Sequence, residues 1–170
     1  MLAPQNVLWK GILVQKIAPC LWFDGKAEEA MTFYTSIFKN SKVGAVTRYG
    51  EAGPGENGSV MVATFEIEGQ EFVALNGGPM YKFCPAISFV VHCRTQEEVD
   101  DSWARLLEGG APQQCGWLTD KFGVSWQIVP TVLPEMLRDK DPEKAKRVMQ
   151  AMLKMVKLDI KVLRQAYEQG

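Results

Sequence analysis

The sequence predicts an α+β chain made of two consecutive βαβββ modules followed by a helical C-terminal segment. Three observations predict it. Ile17 to Phe23 alternates in steps of two, then hands over at Asp24-Gly25 to a run with helical spacing. The same handover recurs between Pro85 and Leu107. From Pro134 onward apolar residues keep to three- and four-residue steps, and no strand pattern returns.

In the first strand Ile17, Pro19, Leu21 and Phe23 form one side and Ala18, Cys20 and Trp22 the other. The helix that follows carries Ala27, Ala30, Met31, Tyr34 and Phe38 on one stripe, which must lie back on the sheet. The Ile17 side should therefore face the helix. Asn40-Ser41 stops the helix, and Val43 to Tyr49 makes a second strand. The turn-rich loop Glu51 to Gly58 leads into Ser59 to Glu68, and Glu68-Gly69 turns back into Glu71 to Leu75. This first module spans 16–80.

The second module, 83–130, repeats the layout with one strand shortened or missing. Pro85 to His92 alternates Ile87, Phe89 and Val91 against Ala86, Ser88 and Val90. Thr95 fits a helix N-cap with Glu98 three residues on, and Gly109-Gly110 ends the helix Gln96 to Leu107. Gln113 to Thr119 passes through the turn Asp120 to Gly123 into Val124 to Val129. In the last segment, 134–170, Asp141-Pro142 opens a helix. Its stripe runs Ala145, Val148, Met149, Met152 and Met155/Val156, then Leu158, Ile160 and Leu163 after a bend near Asp159. Such methionines belong to a core or a subunit contact before a ligand surface. Residues 1–15 form a leader, mildly apolar and interrupted by Lys10, expected as an unstructured stretch or an extra edge segment.

Composition narrows the function classes. In 170 residues, 19 Lys and Arg balance 20 Asp and Glu for a net charge of −1, with no basic run. Nucleic acid is not an expected partner. No apolar run reaches the length of a membrane span, so no membrane partner is expected. Cys20, Cys84, Cys93 and Cys115 lack CxxC spacing and no export signal precedes them, which points to reduced thiols and a cytoplasmic protein.

Several motifs carry less than they first offer. His92 is the single histidine, ends a strand and makes a poor metal centre without a second. The serines do not sit in a nucleophile elbow. The glycine-rich loop at 51–58 precedes a strand, where no helix amides could cradle phosphate. Neither a P-loop nor GxGxxG opens a βα unit, which argues against a nucleotide cofactor. Glu28-Glu29 and Asp100-Asp101 lie on the polar sides of helices and read as solvated surface.

The sheet faces turned away from the helices are more informative. By the period-two rule they carry Ala18, Cys20 and Trp22; Ala74 and Asn76; Ala86, Ser88 and Val90; and Ser125, Gln127 and Val129. These residues are smaller and more polar than their neighbours, as a pocket with a few polar anchors requires. The competing reading is that the face packs against the C-terminal helices or another subunit.

Two βαβββ modules, the opening Pro19-Cys-Leu-Trp-Phe-Asp-Gly25, Phe33-Tyr34 and the Asp120-x-Phe-Gly123 turn resemble the vicinal oxygen chelate superfamily, which includes glyoxalase I, bleomycin-resistance proteins and extradiol dioxygenases. Cys115-Gly-Trp-Leu-Thr-Asp-Lys-Phe-Gly-Val-Ser-Trp-Gln-Ile-Val-Pro130 and the tail Arg147 to Ile160 look like the PhnB-like branch, often named demethylubiquinone methyltransferase-like. The resemblance implies a mixed sheet rolled into a cup with helices outside, holding a divalent metal through His or Glu of the first and last strands. By position those ligands fall on Ala18 or Pro19, Ala74, Ala86 or Ser88, and Gln127. None is an effective ligand. Methyl transfer would also need a site for S-adenosylmethionine, and no glycine loop after a first strand supplies one.

The leading expectation is thus a PhnB-like protein, dimeric, binding a small organic molecule in a cup without the standard metal and without a cofactor. Trp22 would form an apolar wall, Asn76, Ser88, Ser125 and Gln127 would orient polar groups, and Cys20 is the nearby nucleophile. The alternatives are an enzyme with a relocated metal site using Cys20, His92 or Asp120, and a non-catalytic dimeric interaction module.

Overall fold

The computed structural model describes the backbone of residues 7–9 and 12–169 and the side chains of 15–169. The chain divides into two compact units, Met1–Lys82 and Phe83–Gly170. Within the leader, β1 (Val7–Trp9) and β2 (Ile12–Val14) pair antiparallel; residues 1–6, 10 and 11 lie outside the described residues.

The first unit contains β3 (Cys20–Phe23), α1 (Ala27–Ile37), β4 (Ser41–Arg48), β5 (Val60–Ile67) and β6 (Gln70–Asn76). The sheet order is β3-β6-β5-β4, with β3 parallel to β6 and the other pairs antiparallel. The βαβ step supplies the parallel pair, and the hairpins supply the rest. Helix α1 buries Ala27, Ala30, Met31, Tyr34 and Ile37 against this sheet. Tyr34 stacks on Phe65 and Phe65 on Phe72, with centroids 5.9 and 5.3 Å apart. Leu21 and Phe23 are buried, as expected for the helix-facing side of the first strand, whereas Ile17, expected on the same side, precedes β3 and is exposed.

The second unit repeats this order with β7 (Ser88–Cys93), α2 (Gln96–Leu107), β8 (Ala111–Pro112), β9 (Trp117–Thr119) and β10 (Ser125–Pro130). Its sheet runs β7-β10-β9-β8, so the module is complete with four strands. No strand is missing. The shortest, β8, has two residues, too few to show a period in sequence. Helix α2 starts where Thr95 accepts the Glu98 amide at 3.3 Å, while the Glu98 carboxylate accepts the Arg94 amide at 2.6 Å. It buries Val99, Trp103 and Leu106.

The C-terminal helices are α3 (Val132–Leu137), α4 (Pro142–Met152) and α5 (Ile160–Glu168). Asp141 caps α4 through the Glu143 amide, and Asp159 caps α5 through the Val162 amide. Leu133, Met136, Val148, Leu158 and Leu163 form their core, with Met152 and Met155 packed against it. The segment between α4 and α5 is tied to the second sheet, since Cys115 and Gly116 donate their amides to the Met155 and Val156 carbonyls at 2.8 and 2.7 Å. Gln96 adds a second tie, accepting the Ile160 amide at 2.8 Å and donating to the Leu158 carbonyl at 3.2 Å. Among the described residues no helix is long and apolar enough to cross a membrane.

Candidate functional site

Register decides which side chains share a face, because paired residues on neighbouring strands project to the same side. In the first unit Cys20 pairs with Val73 and Trp22 with Leu75, whereas Leu21 pairs with Ala74 and Phe23 with Asn76. Ala74 and Asn76 therefore lie on the helix face. This corrects the sequence expectation, which put both on the open face. Their small size has a different cause. Ala74 is fully buried, as are Ala27 and Ala30 of α1, and close approach of helix to sheet needs small residues on both.

Asn76 is likewise committed to the fold. Its Oδ1 accepts the Ala27 amide at 2.9 Å and its Nδ2 donates to the Val60 carbonyl at 3.0 Å. It caps α1 from a neighbouring strand, where Lys26 at the N-cap position supplies no side-chain acceptor.

Trp22 is half-buried on the open face of this sheet. Its indole N–H donates to the Gly78 carbonyl at 2.8 Å, and its ring meets Tyr81 edge-on at 5.0 Å. The ring lies so close to Gly77 that a Cβ there would sit 2.1 Å from Cζ2. Trp22 thus clamps the stretch that leaves β6. Cys20 is exposed, yet desolvation around its sulfur pushes the thiol pKa up, so the thiolate is disfavoured at neutral pH.

In the second unit Ser88, Val90, Ser125, Gln127 and Val129 share one face, as the alternation predicts, whereas Ala86, expected on it too, lies in a turn before β7 begins. Ser88 pairs with Ser125, Gln127 with Val90, and Val129 with His92. The structure brings Gln127 and Ser88 together, the carboxamide Nε2 donating to the hydroxyl at 2.9 Å. Register with β9 adds residues that the sequence reading passed over: Thr119 pairs with Ser125 and Trp117 with Gln127. Gln113 reaches the same face, donating from Nε2 to the Thr119 hydroxyl at 2.6 Å. The signal available was the alternation Trp117-x-Thr119, too short at three residues to be assigned a face. Ser125 is buried at 2% exposure, between Ser88 and Thr119.

The remaining candidates sort by their partners. Asp120 is buried, its Oδ1 accepting the Phe122 and Val124 amides at 2.9 and 3.0 Å and its Oδ2 the Trp126 indole N–H at 2.9 Å. Both oxygens brace the turn. His92 is exposed at the strand end. Glu28 pairs with Arg48, Glu29 with Lys26, Asp100 with Lys157 and Asp101 with Arg105, all at the surface. Among the described residues no three His, Cys, Asp or Glu side chains gather as a chelating set. The open face of the second sheet offers hydroxyls, carboxamides and one imidazole, an uncharged donor set that does not fit a divalent cation.

The model of the 3-demethylubiquinone-9 3-methyltransferase family matches residues 15–129. A PhnB protein from Bacillus cereus, bearing the same methyltransferase name, is 43% identical, with a TM-score of 0.64 over 69% of this chain and 100% of its own. A Pseudomonas aeruginosa protein of known structure is 22% identical, with a TM-score of 0.59 over 69% of this chain and 98% of its own. The fosfomycin resistance protein FosX of Listeria monocytogenes, crystallised with Mn(II) and sulfate, shares the fold at 16% identity. Its TM-score is 0.53 over 75% of this chain and 100% of its own. No curated protein matches the chain. With the two βαβββ sheets, the chain belongs to the PhnB-like 3-demethylubiquinone-9 3-methyltransferase family of the vicinal oxygen chelate superfamily.

Proposed function

We propose that the protein binds a small organic molecule on the open face of its second sheet, held by neutral polar groups and not through a metal. The observation that carries this is the Gln127–Ser88 pair, a carboxamide and hydroxyl held 2.9 Å apart on a face without a chelating set. The pair keeps the Gln127 Oε1 lone pairs and the Ser88 proton for a ligand. Trp117 and Val90 supply apolar surface beside it. Cys20, with its raised pKa, carries no nucleophilic step in this reading.

Thermal unfolding of the full chain in EDTA, against a panel of neutral and charged metabolites, tests the proposal. A ligand at about 100 times its Kd adds roughly 2.7 kcal/mol of stability. The shift should be lost in Gln127→Leu and Ser88→Ala. A panel without any stabilising compound, or a shift that persists in both variants, overturns the reading.

We infer in addition that two copies associate. Strand β7 is a sheet edge, and Ile87 just before it and Val90 within it are 76% and 45% exposed, an arrangement that favours pairing with another chain. Light scattering giving a monomer at micromolar concentration refutes this. The four free cysteines support a reducing, cytoplasmic setting.

A further inference from the structure

Resting on that binding reading, we propose that the second sheet selects uncharged cyclic amides and imides, rings that carry carbonyl and N–H groups side by side. Three hydroxyl residues stand in direct register across three neighbouring strands: Ser88 on β7, Ser125 on β10 and Thr119 on β9. The outer two lie two strand spacings apart, about 10 Å. Each receives a carboxamide N–H, Ser88 from Gln127 at 2.9 Å and Thr119 from Gln113 at 2.6 Å.

This arrangement fixes what is left to offer. A hydroxyl that accepts from an amide turns its own proton elsewhere, so Ser88 and Thr119 present donors. Each glutamine keeps its Oε1 as an acceptor. The row therefore shows a donor beside an acceptor at both ends, with Ser125 between them and the Trp117 indole one row along. A ligand carbonyl meets the hydroxyl, and the adjacent ligand N–H meets Oε1. A carboxylate or phosphonate would leave the glutamine acceptors facing negative charge, and this row holds no cation to offset it.

Saturation-transfer NMR on the full chain with three probes tests the selection: uracil, 1,3-dimethyluracil and orotate. Uracil should bind, and removing its N–H groups by methylation should weaken binding about tenfold, as one lost hydrogen bond of this kind does. Orotate should bind no more tightly than uracil. Gln127→Leu and Thr119→Val, both close in shape, should each weaken uracil by about tenfold while far-UV circular dichroism stays unchanged. Equal binding of dimethyluracil, or tighter binding of orotate, overturns the selection. If uracil fails while another compound stabilises the protein in a Gln127-dependent way, the ligand class is wrong and the binding site stands. If nothing binds in that way, both are wrong.

Discussion

Replacing Asp120 by asparagine changes one atom in a buried turn, and the structure says what that should cost. The carboxylate takes three N–H groups, two from backbone on Oδ1 and one from the Trp126 indole on Oδ2. Asparagine keeps one acceptor oxygen. The cheaper orientation leaves that oxygen on the Phe122 and Val124 amides and turns NH₂ toward the indole N–H. One bond to a charged acceptor, about 1.5–3 kcal/mol, is lost, and the indole of Trp126, 4% exposed, is left without this acceptor. Asp120→Asn should thus destabilise the protein by roughly 2–4 kcal/mol, lowering Tm by about 5–15 °C for a chain of this length. Urea unfolding followed by circular dichroism measures it. A Trp126→Phe background removes the opposed donor, so there the same substitution should cost about 1–2 kcal/mol less. A loss below about 0.5 kcal/mol, or an equal loss in both backgrounds, would refute the account of the turn.

Two further outcomes follow from the packing and the surface charges. Gly77→Ala places a methyl group 2.1 Å from the Trp22 ring, so the indole must move. The expected cost is about 1–3 kcal/mol, with a red shift of tryptophan fluorescence and loss of the Gly78 bond as its spectroscopic marks. Lys157 first and Gln96 second hold the Asp100 carboxyl below its ordinary pKa. Because the folded pKa is the lower one, this contribution is present above about pH 4 and fades as pH falls through the folded value. For so exposed a pair it is worth about 0.2–1 kcal/mol, screened by salt. Lys157→Met should flatten that part of the acid-stability curve, and an unchanged curve would dismiss the pair.

Much of the frame was legible because its signals are local. Thr95 with Glu98 and Asp141-Pro142 mark helix starts that need only nearby atoms, and the structure shows these caps. Near Asp159 the sequence shows only a bend in a continuing stripe, where the structure starts a new helix capped by that residue. The alternation of Ser88, Val90, Ser125 and Gln127 also placed them on one face, since both strands are long enough to show a period. Ala74 and Asn76 failed for a physical reason. Their face is set by pairing with β3, some fifty residues away in sequence, and a one-residue slip reverses every side chain. Small size does not identify an open face when a helix presses as closely as α1 does. Asp120 was visible as part of a turn, whose own Phe122 and Val124 amides it accepts, but its bond from the Trp126 indole becomes apparent only when β10 folds back beside it. Thr119 and Gln113 were hidden because β8 and β9 together hold five residues, two and three.

The ties between the Cys115-Gly116 turn and the Met155-Val156 carbonyls reach beyond the stretch that the family model matches, which ends at 129. Trimming the chain to that stretch would strip two amide donors of their partners and uncover the side of the turn where Leu158 packs against Gly116. A family-sized fragment should accordingly aggregate or unfold under conditions in which the whole chain stays in solution. A boundary drawn from sequence kinship falls inside the compact unit Phe83–Gly170.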